Sequence, residues 1–150
     1  MNKNFFLCLL LVISGFIYYF YKIEPNQIYL NNHYVTEDEP PGLGFFIPLT
    51  NSEELLELAP HLEEKIKAFN LTPKEFEKYT IWYGSVIYEK EPYFEYGLQP
   101  YELVRVTNHS LIFKQTNPIE FEGDERNVYH ISEYLFRTSS NTKSLDFYYR

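Results

Sequence analysis

Seventeen consecutive residues without a charge, Phe5 to Tyr21, open this chain behind a single lysine, Lys3. Such a run becomes a signal segment, a membrane helix or the buried helix of a larger core. Lys3 and the amino terminus supply the basic end that a signal needs. As a helix the run reaches roughly 26 Å, slightly under the hydrocarbon thickness of about 30 Å. Tyr18, Tyr19 and Tyr21 suit the interface, and Lys22 can snorkel to the headgroups. Small residues for cleavage are limited to Ser14 and Gly15, and a cut there places Val12 or Ile13 where Ala is favoured. The expectation is an uncleaved signal anchor over residues 1–22, a transmembrane helix embedded through residues 5–21, with a cleaved peptide as the competing outcome. A soluble core helix fits less well, because the run lacks a polar face and composition changes at once after Lys22. Cys8 follows Phe5-Phe6-Leu7 rather than a small residue, so it reads as an ordinary apolar residue and not a lipidation site.

Orientation rests on few charges. Lys3 flanks one side and Lys22 the other, and acidic residues count little. The signal-like position favours a single pass through the inner (cytoplasmic) membrane, with the amino terminus inside and the body in the periplasm or outside the cell.

The body, residues 23–150, is long enough for one domain with its own core. All 21 acidic residues lie there, whereas two of the 13 basic ones, Lys3 and Lys22, belong to the leading segment. An acidic domain repels phosphates, so no nucleic-acid partner is expected. A basic protein would be drawn to it, although solubility alone also accounts for net negative charge. The sole cysteine is Cys8, so the body carries no disulfide. Aromatic residues make up 19% of the chain, which excludes a disordered body. Two sequons, at Asn70 and Asn108, matter only in a eukaryotic secretory route.

The pattern along the body is α+β, with early helices followed by an antiparallel sheet. Residues 27–36 read as a strand or a hairpin around Asn31-Asn32. Residues 37–42 form a loop containing Pro40-Pro41, and Phe45-Phe46-Ile47 make a short extended segment. Thr50 or Asn51 caps a helix, with Glu53 or Glu54 three residues on. Leu55, Leu58, Leu62, Ile66 and Phe69 keep helical spacing, and Pro60 predicts a kink or a junction near Ala59. Thr72-Pro73 with Glu75 starts a second helix over about 73–79. Residues 81–88 alternate as a strand, bulged at Gly84. Residues 103–106 and 111–113 form a hairpin, and Leu145, Phe147 and Tyr149 a last strand. Residues 125–137 fit either helix or strand.

Catalytic constellations are thin. His61 with Glu64 and His130 with Glu133 share His-x-x-Glu spacing, which on a helix offers two ligands on one face. A hydrolytic metal site needs a third ligand and a base. Surface charge pairing accounts for these pairs as well, so a metal-dependent hydrolase is the weakest alternative, and neither metal nor cofactor is expected. Gly84-Ser85 lacks the nucleophile elbow, and no phosphate loop occurs. The expectation is a binding protein rather than an enzyme. Glu91, Tyr93, Phe94, Glu95, Tyr96 and Tyr101 gather aromatics and carboxylates in a Pro/Gly-bounded stretch suited to a basic protein partner. Ordinary core-covering aromatics give the same pattern. Size, charge and address together suggest an immunity or inhibitor protein against a periplasm-acting toxin. An envelope-assembly subunit, using the anchor helix as its interface, is the alternative.

Overall fold

The computed structural model describes residues 3–22, 26–38, 46–88, 100–116 and 129–150, and within the first helix the side chains of residues 7–17. That helix, α1, runs Lys3–Lys22. Among the described residues no helix is long and apolar enough to cross a membrane. The body is a small α+β domain, in which β1 (Gln27–Thr36), β2 (Phe46–Leu49), β3 (Tyr79–Tyr88) and β6 (Tyr129–Ser139) form an antiparallel sheet ordered β1-β6-β3-β2. A second sheet holds β4 (Tyr101–Val106), β5 (Ser110–Gln115) and β7 (Asp146–Tyr149). Here β4 and β5 are antiparallel, while β5 and β7 are parallel. A single antiparallel sheet is the expectation that this second, mixed sheet replaces.

Three layers result. One face of the four-stranded sheet packs on α2 (Ser52–Leu58), a 3-10 turn (Pro60–Leu62) and α3 (Glu63–Ala68), around Leu55, Leu62, Ile66, Ile81 and Leu135. The other face packs on the second sheet around Trp82, Leu103, Leu111, Phe113, Tyr134 and Phe136. Alternation along β3 and β6 sends neighbouring residues to opposite cores, Ile81 and Tyr83 to one, Trp82 to the other. With both faces covered, β6 is buried at eight of its eleven positions. Its sequence therefore lacks the apolar–polar rhythm of a half-exposed strand. This explains why 125–137 is ambiguous in sequence; residues 129–137 are strand, and 125–128 lie outside the described residues.

The local signals act where expected. The Asn51 side chain accepts from the Glu54 amide at 2.8 Å, and Glu54 Oε2 accepts from the Thr50 amide at 2.8 Å, a reciprocal cap one residue wider than the usual box. Pro60 opens the 3-10 turn that follows α2, so the long helical pattern is two helices, α2 and α3, with a break at Ala59 and the turn between them. Thr72 is the N-cap of α4 (Pro73–Lys78) by backbone conformation, without a side-chain cap bond. Arg137 holds α4 to the sheet: its guanidinium lies 4.0 Å from the Tyr79 ring centroid and 2.9 Å from Glu75 Oε2. Residues 27–36 form one strand rather than a hairpin, with a register shift between Ile28 and Leu30.

Gly84 is not a bulge, since β3 and β6 pair in unbroken register from Tyr79 to Tyr88. The Phe46 ring occupies the place of a side chain there; a Cβ on Gly84 would sit 2.2 Å from Phe46 Cδ1. Pro48 lies in β2, the outermost strand of its sheet, where a missing N–H is tolerated. β1 lies beside β4 across the layers. The Asn31 amide bridges them, donating to the Leu103 carbonyl at 3.1 Å and accepting from the Leu103 N–H at 2.8 Å. It acts as a surrogate peptide group at the point where the β4–β5 register shifts, between Leu103 and Arg105.

Candidate functional site

Three places carry side chains that could do more than fold the chain. The aromatic and acidic stretch expected to meet a partner is the first. Glu91, Tyr93, Phe94, Glu95 and Tyr96 lie outside the described residues. Tyr101, the first residue of β4, is half-buried; its ring meets Tyr149 edge-on with centroids 5.0 Å apart, and its carbonyl accepts from the Tyr134 hydroxyl.

The second place is a polar cluster between the helices and the four-stranded sheet. Glu133, at the centre of β6, is 1% exposed. Its Oε1 accepts from the Tyr83 hydroxyl at 2.7 Å and lies 2.7 Å from His61 Nε2. Its Oε2 accepts from the Asn32 side-chain amide at 3.0 Å, and Lys65 donates to Asn32 Oδ1 at 3.1 Å. The Tyr34 ring lies against His61, 5.7 Å between centroids. β1, β3, β6, the 3-10 turn and α3 each contribute to this cluster. A buried carboxylate requires such partners, because desolvation without them costs several kcal/mol. The tyrosines register the environment. Burial, reinforced by the nearby Glu133 charge, pushes the Tyr34 hydroxyl up to about 12 and raises Tyr83 as well. Both rings therefore remain protonated donors at neutral pH.

This cluster reorganises the two His-x-x-Glu pairs. His61 meets Glu133, taking one member from each pair, while Glu64 is exposed on α3. His130 lies three residues from Glu133 on a strand, so it faces the opposite layer and is buried there. Among the described residues no three His, Cys, Asp or Glu side chains converge as a metal set. The shared helical face expected for His130 and Glu133 does not form, because that segment is strand. No sequence signal joins His61 to Glu133, which are 72 positions apart.

The third place is a groove of about 550 Å³ at the margin where β2 and β7 end the two sheets. Phe46, Trp82, Val86, Leu145, Phe147 and Tyr149 line it, and among the described residues Lys143 is the only charged one of its wall. Phe113 sits behind it, stacked on Phe147 at 6.2 Å and on Tyr149 at 5.3 Å between centroids. Phe147, Tyr148 and Tyr149 are 44%, 54% and 61% exposed. Large aromatics half out of water beside a concave apolar wall are a feature of recognition surfaces rather than of plain solvent faces. Sequence reading placed Phe147 and Tyr149 on a strand; their meeting with Phe46 and Trp82 is a tertiary event. Comparison with family models, with curated proteins and with solved structures finds no match for this chain.

Proposed function

We propose that this chain is a membrane-held domain that binds another protein on the outer side of the membrane. The observation that carries the reading is α1. Every described side chain of residues 7–17 is exposed, including Leu7, Leu9, Leu10, Leu11, Val12, Ile13, Phe16 and Ile17 at 46–65%. Eight large apolar side chains left in water carry a penalty of several kcal/mol that a bilayer removes. The full helix has 20 residues, about 30 Å at 1.5 Å per residue. The acidic body would then stay clear of anionic headgroups. The apolar groove beside β7 supplies a surface for the partner, and an inhibitor or immunity role against a toxin acting outside the membrane fits that address. An envelope-assembly subunit draws on the same helix, with α1 itself as the contact.

Alkaline extraction of membranes carrying the full chain is the test. The chain is expected in the membrane fraction, and Leu10→Glu with Ile13→Glu should release it. Release of the unaltered chain would overturn the tether. Trp82, the only tryptophan, lines the groove and reports occupancy through its emission. A partner that binds without moving that emission, and whose binding needs α1, would favour the assembly role.

A further inference from the structure

We propose that the notch between the start of β1 and the bulge of β4 binds the phosphodiester of a membrane phospholipid, with Arg105 as its cation. A cavity of about 370 Å³ opens there, walled by Asn26, Gln27, Ile28, Val104, Arg105 and Val106. Leu103 is buried, so plain strand alternation would turn Arg105 inward as well. The register shift between Leu103 and Arg105 inserts Val104 as an extra residue. Val104 and Arg105 both stand exposed as a result, and Val106 returns to the core. The bulge thus delivers a guanidinium to the wall of the notch. Among the described residues Arg105 takes part in no ion pair or side-chain hydrogen bond, and it is the one charge in that wall.

The wall chemistry names the ligand. The planar fork of arginine matches two oxygens of a phosphate. The Asn26 side chain donates one amide N–H to the Val106 carbonyl at 3.3 Å, which fixes it in the wall and leaves its second N–H for an anion. Gln27 is exposed beside it and offers a further amide. Ile28 and Val104 add apolar surface next to the cation, with Val104 46% exposed. A phosphate carried on a glycerol and acyl stem meets both parts of this wall; free phosphate meets only the polar part. Position supplies the source. Asn26 follows Lys22, the last residue of α1, by four residues, at most about 14 Å of chain. With α1 in a bilayer, that span keeps the notch within reach of the headgroup layer. The assignment to a lipid therefore rests on the membrane reading of α1. The acidic remainder of the body is held off the same layer, so this corner alone makes the contact.

The test measures lipid adducts of the full chain by native mass spectrometry in mild detergent, using phosphatidylglycerol and a diacylglycerol with the same acyl chains. Phosphatidylglycerol should bind more tightly. Arg105→Glu should weaken its adduct about fivefold and leave the diacylglycerol adduct unchanged. Arg105→Lys keeps the charge without the fork and should fall between. Lys114→Glu, at an exposed cation elsewhere on the same sheet, should change neither. Thermal melts that match the unaltered chain show that the fold survives each change. Equal phosphatidylglycerol affinity of Arg105→Glu and the unaltered chain would overturn the proposal, as would an equal loss from Lys114→Glu. Inorganic phosphate that displaces the lipid in equal amount would make this a free-phosphate site and overturn the lipid assignment. Alkaline extraction of the same variants separates the notch from the tether. A weakened adduct in an Arg105→Glu chain that stays in the membrane fraction supports the notch. An unchanged adduct in such a chain removes the notch alone, and release of the unaltered chain removes the tether and the lipid assignment together.

Discussion

The two faces of the four-stranded sheet are held by different physics. On the helix side, aliphatic side chains surround one carboxylate, and Glu133 with His61, Tyr83 and Asn32 joins sheet to helices through directed bonds. On the other side the contact is aromatic: Phe46 lies 5.7 Å from Phe136 and 5.8 Å from Tyr134, and Trp82 stacks on Phe136 at 6.4 Å. Its polar pairings include Trp82 Nε1 to Thr138 Oγ1 at 2.9 Å. Dispersion and burial tolerate some sliding, whereas a buried carboxylate demands its partners in place. The helix side is therefore specified by geometry and the sheet side by volume.

The largest effect should come from the side specified by volume. Phe136 is fully buried, so Phe136→Ala should destabilise the body by about 4 kcal/mol. Denaturant unfolding measures it, and a loss below about 1 kcal/mol would show that the aromatic layer collapses around the gap. Glu133→Gln keeps the volume but removes the charge and turns one acceptor into a donor, which faces either the Asn32 amide or the Tyr83 hydroxyl, both donors to Glu133. A loss of about 2 kcal/mol is expected. If Glu133→Gln instead left stability unchanged, the claim that geometry specifies the helix side would fail.

The smallest effect is a pH dependence on the sheet side. His33 Nδ1 lies 2.7 Å from Ser132 Oγ, while its Nε2 is buried without a hydrogen bond. Burial lowers its pKa below 6.5, with Glu102 opposing in part. The unfolded chain then takes up the proton at a higher pH than the folded one. The His33 contribution is present above about pH 6.5 and is lost as pH falls below that value. His33→Gln should flatten the stability profile below about pH 6.5 relative to the unaltered chain, as read by thermal melts.

Sequence legibility follows the range of the interaction. The cap at Asn51 and Glu54, the start at Thr72-Pro73 and the β4–β5 hairpin involve residues within a few positions, and the pattern names them directly. Gly84 is conspicuous in sequence, but its cause, the Phe46 ring, comes from another strand, so a bulge is the natural misreading. Glu133 shows the same limit more strongly. Its partners stand 50, 72 and 101 positions away, and only the pairing of β6 with β1 and β3 assembles them. The parallel partnership of β7 was likewise hidden, because alternation reveals a strand and not its neighbour.

The Asn31 bridge has a mechanical consequence. With Asn26, whose side chain donates to the Val106 carbonyl at 3.3 Å, it fastens β1 to β4 along one margin of the sandwich. The opposite margin, between β2 and β7, has aromatic rings where the first has amide bonds. The two sheets are thus joined by directed amide bonds along one margin and by ring contacts along the other, and the groove that Trp82 overlooks lies on the margin away from the two asparagines.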